Sequence, residues 1–145
     1  MKKILLLASV LFAFTIGAMA QPKAEEVVKM NEETHDFGKV KQGVPVTYNF
    51  EIKNITDKPI VIANATASCG CTVPEKPEQP IEPGKVGLLK VQYNAAAVGI
   101  INKDVHITIA GVELPKTVHI TGEVLTPEAY EAYVKEKEEK AKTKN

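Results

Sequence analysis

The chain has 145 residues with 18 acidic and 18 basic side chains, every basic one a lysine, and 44% of its residues are apolar. A balanced charge without a basic block argues against nucleic-acid binding. The lack of arginine removes bidentate clamps for phosphate or carboxylate, and the apolar content argues against wholesale disorder.

The N-terminus predicts the compartment. Lys2 and Lys3 precede Ile4 to Ile16, an almost unbroken apolar run of about 13 residues, the length of a signal-peptide core and short for a bilayer span. Ala18-Met19-Ala20 then offers the small residues that signal peptidase reads, so residues 1–20 are expected to be removed, leaving Gln21 first. The alternative is an anchor kept in the mature protein, which length and cleavage chemistry disfavour. The first cysteine is Cys69, so no lipid-bearing N-terminal cysteine is expected. The mature product, with 16 lysines against 18 acids, is expected in the periplasm or outside the cell, with no membrane span. Residues 21–30 read as an N-terminal extension, 31–125 as one domain and 126–145 as a tail.

A first strand is predicted over Val27 to Thr34. From Val44 to Lys53, Val46, Tyr48, Phe50 and Ile52 fall on one face and Thr47, Asn49, Glu51 and Lys53 on the other. This period of two marks a half-buried strand. Asn54 to Lys58 is a turn-rich connection, and Pro59 to Ala67 the next strand, with Ile60 and Ile62 opposite Val61 and Ala63. Pro74, Pro77, Pro80 and Pro83 forbid helix, and the segment ending at Gly84 is predicted to cross between two sheets. Val86 to Tyr93 resumes as a strand with Gly87, Leu89, Val91 and Tyr93 on one face. In Ile101 to Ile109, the residues Ile101, Val105, Ile107 and Ile109 point inward. Ala110-Gly111 turns a hairpin, and Leu114 to Val124 returns with Val118, Ile120 and Val124 inward.

Six or seven short strands, each apolar on one face, need a second layer, so the fold class is all-β, a β-sandwich. Thr126-Pro127-Glu128 starts a helix: a hydroxyl cap, a proline in the first turn and an acid at the positive end of the dipole. Glu131/Lys135 and Glu136/Lys140 are spaced to pair. The apolar stripe of Tyr130, Tyr133 and Val134 is narrow, so a solvated helix fraying into a disordered tail is expected; docking of this helix on a partner is the alternative.

Ser68-Cys69-Gly70-Cys71-Thr72 holds both cysteines. In extended backbone their Cα atoms would lie roughly 6.5–7 Å apart, at the limit for a disulfide, so a bridge needs a tight local turn, for which Gly70 is suited. Three readings stay open: a disulfide, two thiols packed as small apolar groups, or functional thiols that exchange disulfides or hold a soft metal. Metal ranks below exchange because two thiolates lack a clear third ligand. His106 and His119 would face one another if the hairpin paired Ile107 with Val118, and could then hold a divalent metal, but two solvated residues are the plainer reading. His35 before Asp36-Phe37-Gly38 reads as part of a turn. No nucleophile elbow, zinc-protease helix, phosphate loop or dinucleotide fingerprint occurs, so no cofactor is expected and no catalytic residue can be named.

His35 to Gly43, the Val46–Asn54 strand, Ser68-Cys69-Gly70-Cys71-Thr72, Ile81-Glu82-Pro83-Gly84-Lys85 and Gly99 together carry a resemblance. Over about Glu33 to Val124 the chain resembles the secreted bacterial domain-of-unknown-function family fifteen-seventy-three. The resemblance implies an immunoglobulin-like sandwich of the abnormal-spindle/Hydin type and brings no established activity. The functional expectation is an exported, non-catalytic binding or assembly module whose partner is an envelope or extracellular protein. The alternative is a thiol-active protein using Cys69 and Cys71. An envelope chaperone of the pilus-assembly type ranks lower, because that class normally has two sandwich domains.

Overall fold

A computed structural model describes residues 21–143; the expected signal peptide lies outside the described residues. In chain order the elements are α1 (Ala24–Val27), β1 (Val28–Met30), β2 (Thr34–Lys41), β3 (Val46–Asn54), β4 (Ile62–Ala67), β5 (Thr72–Glu75), β6 (Val86–Tyr93), β7 (Gly99–Ile109), β8 (Lys116–Leu125) and α2 (Pro127–Lys142). They form two four-stranded sheets, ordered β1-β3-β6-β5 and β2-β8-β7-β4. All neighbours are antiparallel except β2, which runs parallel to β8.

The alternation seen in the sequence builds the interior. Phe50, Ile52, Leu89 and Val91 from one sheet meet Ile101, Val105, Ile107, Ile109, Val118, Ile120 and Val124 from the other, all fully or almost fully buried. Polar residues of the same strands face solvent, so each strand closes one side of a shared core. Gly87 stays a glycine because Ile81 fills its place: a Cβ there would lie 2.5 Å from Ile81 Cδ1.

Four expectations change. Residues 24–30, expected to form an extension, enter the sandwich: Ala24, Val27, Val28 and Met30 are buried, and β1 pairs with the end of β3. His35 to Gly38 belongs to strand β2 rather than to a turn; the glycine signal marks a bulge, with the register shifting between Asp36 and Lys39 and Gly38 at φ +65°. The sheet crossing lies at residues 68–71, between β4 and β5, and not in the proline segment. Pro74 sits in edge strand β5 and the remaining prolines occupy the loop to β6 of the same sheet. The hairpin pairs Ile107 with Lys116 and Val105 with Val118, since Pro115 has no N–H to give and the ladder opens only at Lys116.

The tail begins as expected. The Thr126 hydroxyl accepts from Ala129 N–H at 3.2 Å, with Pro127 in the first turn. Helix α2 buries no residue. Glu136 pairs with Lys140, whereas Glu131 reaches Lys41 on β2 at 3.2 Å rather than Lys135.

Candidate functional site

The Cys-Gly-Cys segment forms the corner where the chain leaves β4 in one sheet and enters β5 in the other. Cys69 and Cys71 are joined by a disulfide with their Cα atoms 5.3 Å apart. The turn is also held without sulfur. Ser68 N–H donates to the Asp104 carbonyl at 3.0 Å, and Asp104 N–H to Ser68 Oγ at 3.2 Å. Thr72 N–H closes back on the Cys69 carbonyl at 3.3 Å, and Asn94 N–H donates to the Cys71 carbonyl at 3.0 Å. Gly70 is exposed, and a Cβ on it would meet nothing within 4 Å. Its backbone is not in the left-handed region, so the ring does not demand glycine.

A bridge closing a three-residue ring removes little freedom from the unfolded chain, about 1.5 kcal/mol by the loop-entropy relation, against about 3 for a fifteen-residue loop. Cys71 packs against the core, and both cysteines are half-buried. Beneath them Thr72 is only 4% exposed, and its hydroxyl lies 3.7 Å from Cys69 Sγ and 3.9 Å from Cys71 Sγ. The sequence placed Thr72 in the motif without a role. No local signal marks it as inward-facing, because its burial comes from the packing of β5 beside β6.

The histidines part company. The two-residue change of register sets His119 opposite Asp104, with Nδ1 2.7 Å from Oδ1, and His106 opposite Thr117, with Nδ1 3.0 Å from Oγ1. His35 stacks on Tyr48 of the other sheet, ring centroids 3.5 Å apart, and its Nδ1 lies 2.9 Å from Glu32 Oε1. Hydrogen bonding from the Tyr48 hydroxyl, and then from His35, holds the Glu32 carboxyl below its ordinary range. Lys116, an inward-facing lysine on β8, is satisfied by Glu25 and Glu33, and the bond to Glu33 is the main cause of its raised pKa. Among the described residues, no group of three or more His, Cys, Asp or Glu side chains is placed to hold a metal.

The four sheet edges differ. Strand β1 has three residues. Strand β5 has four and carries Pro74, which offers no N–H. Strand β2 is bulged at Gly38 and tied to helix α2 through Lys41 and Glu131. Strand β4 is different: its register shifts once, at its start between Ile62 and Asn64, but from Ala63 through Ser68 it contains no charge and no proline. Because Ser68 N–H points into the sheet, alternation turns the backbone groups of Ala65 and Ala67 away from β7. Only Ala65 N–H is capped, by Asn64 Oδ1 at 2.9 Å.

Two antiparallel-rich sheets with an edge strand parallel to the last strand define an immunoglobulin-like sandwich. Its solved counterparts agree at the level of fold. A Porphyromonas gingivalis W83 protein of unknown function matches with TM-score 0.59 and 18% identity, over 75% of this chain and 51% of that one. The Vibrio cholerae VesB protease matches with TM-score 0.58 and 15% identity, over 70% and 33%. The seventh ASH/PapD-like domain of human CEP192 matches with TM-score 0.54 and 9% identity, over 79% and 96%. The chain thus spans about half of the P. gingivalis protein and a third of VesB. No curated protein matches it in sequence. The chain belongs to the family described as Protein of unknown function (DUF1573), which matches residues 28–124 and so includes β1.

Proposed function

We propose that the protein is an exported, non-catalytic binding or assembly module of the cell envelope, and that its partner adds an extended strand to β4. The unguarded β4 edge carries this reading. Edges that must stay solitary are shortened, bulged, charged or given proline, as the other three are, whereas β4, in regular register past its irregularity between Ile62 and Asn64, offers outward N–H and C=O groups flanked by small neutral side chains. Such an edge selects an extended peptide segment of an envelope protein, because its backbone groups pair with another strand. Export is supported by the basic, apolar and small-residue pattern of residues 1–20. No helix among the described residues is long and apolar enough to cross a membrane.

The test places a photo-crosslinker at Thr66 in the native envelope and repeats the capture with Ala67→Pro, which deletes an outward donor and leaves the β4–β7 ladder intact. The expected result is one crosslinked envelope protein whose capture falls at least tenfold in Ala67→Pro. Leu88→Lys, on the outer face of the other sheet, leaves capture unchanged. Capture indifferent to Ala67→Pro, in a variant that melts with the wild type, rejects the edge. Cytosolic protein retaining Met1 rejects export.

A further inference from the structure

We propose that Cys69 and Cys71 form an exchange-active dithiol–disulfide couple, with the buried Thr72 hydroxyl as hydrogen-bond donor to the thiolate. The activity goes beyond partner binding at β4 and rests on separate observations. The first is that reduction need not undo the corner. The bonds from Ser68 to Asp104, from Thr72 to Cys69 and from Asn94 to Cys71 all run through backbone or hydroxyl groups. Breaking the sulfur bridge therefore leaves two thiols side by side on a fixed turn.

The second observation is Thr72. Its side chain is buried, and the hydrogen-bond partners its hydroxyl has in the structure are the two sulfurs, at 3.7 and 3.9 Å. A bridged sulfur is a weak acceptor and a thiolate a strong one, so the hydroxyl gains most when the pair is reduced and deprotonated. This favours the reduced form, lowers the thiol pKa and makes the couple more oxidising than the same ring without a donor. The third observation is access: Gly70 is exposed and bare between the two half-buried cysteines.

Cys71 packs against the core, which makes Cys69 the sulfur to attack. A thiolate of a client protein's dithiol attacks Cys69 Sγ. The bridge breaks, and its electron pair goes to Cys71 Sγ, where Thr72 O–H donates to it. The client's second thiolate then attacks the client sulfur of the mixed disulfide and expels Cys69 as thiolate. The client is oxidised by two electrons to a disulfide and Cys69/Cys71 are reduced to a dithiol. The client's thiol protons pass to solvent or to the new thiols. The reverse exchange with another protein disulfide restores the bridge.

The test equilibrates the folded protein in glutathione buffers of graded reduced-to-oxidised ratio, traps the thiols and counts them by mass. Alkylation rate against pH gives the pKa of the reduced pair. Wild type is expected to pass from bridged to reduced within the glutathione range, with a thiol pKa below the ordinary value of about 8.5. Thr72→Val is expected to shift the exchange equilibrium about fivefold toward the disulfide and to raise the thiol pKa, and Thr72→Ser to restore both. A bridge that stays intact in excess reduced glutathione overturns the proposal. So does a Thr72→Val protein with the wild-type equilibrium and pKa, since a purely structural threonine would move melting and neither of these.

Discussion

Strand β4 is flanked by two crossings between the sheets, and they are built on opposite plans. On the way in, from β3, Asn54 is fully buried and every part of its amide is used. Its Nδ2 donates to the carbonyls of Lys58 at 2.7 Å and Ile81 at 2.8 Å, and its Oδ1 accepts from the N–H and hydroxyl of Thr56, each at 2.8 Å. Its backbone ties to Lys85 and Gly84 as well. On the way out, toward β5, the corner is half-exposed and carries a covalent ring closed over three residues. The network of weak bonds holds three segments in register, while the covalent bond constrains one small turn. Covalency is therefore a poor guide to which crossing the fold depends on.

The comparison breaks most sharply at Asn54. Asn54→Ala removes one of two donors from the Lys58 and Ile81 carbonyls, which keep the Thr56 hydroxyl and the Ile60 N–H, and it leaves the Thr56 N–H without its acceptor and a void at a fully buried site. We expect a loss of about 2–4 kcal/mol in urea unfolding, with the m-value unchanged. A loss below about 1 kcal/mol would mean that water replaces the amide and that the entry crossing is no firmer than the exit. Next in size is Gly87→Ala. The new methyl group would displace Ile81, whose carbonyl Asn54 holds, so a cost of about 1–3 kcal/mol is expected. Since both substitutions disturb the same segment, Asn54→Ala/Gly87→Ala should cost less than the two added, and strict additivity would separate Ile81 from the network.

The sequence showed the strands more clearly than the crossings between them, and for a physical reason. Period-two alternation in β3, β6, β7 and β8 reports which side chains are inside, because each strand buries one face. The Thr126 cap is equally local and stands where its residues placed it. Which strand neighbours which is a long-range matter. Strand β2 was hidden because Asp36-Phe37-Gly38 has turn chemistry, and only pairing with β8, more than eighty residues away, makes it a bulged strand. The proline segment has the stiffness of a crossover yet links strands of one sheet, while the true exit crossing is the four residues 68–71. In the candidate site the proximity of Cys69 and Cys71 was legible from spacing alone. The burial of Thr72 and the edge position of β4 were not, because both depend on the packing of distant strands.

The smallest expected effect tests the exit corner directly. Replacing both cysteines by alanine removes the ring-closure contribution and the packing of Cys71 on the core, together about 1–2 kcal/mol, which for a domain of this size lowers Tm by roughly 5 °C. The four hydrogen bonds that anchor residues 68–72 to Asp104 and Asn94 and close the turn survive, so amide exchange at Ser68, Thr72 and Asn94 should stay protected. A loss beyond about 4 kcal/mol, or unprotected amides at these positions, would show that the bridge is the element holding β4 to β5. The corner would then be a staple, reduction would open the sandwich, and a thiol pair poised on a fixed turn would no longer describe it. A small loss with protected amides leaves a disulfide that the fold hardly needs, at an exposed corner above a buried hydroxyl, which is the arrangement exchange chemistry requires.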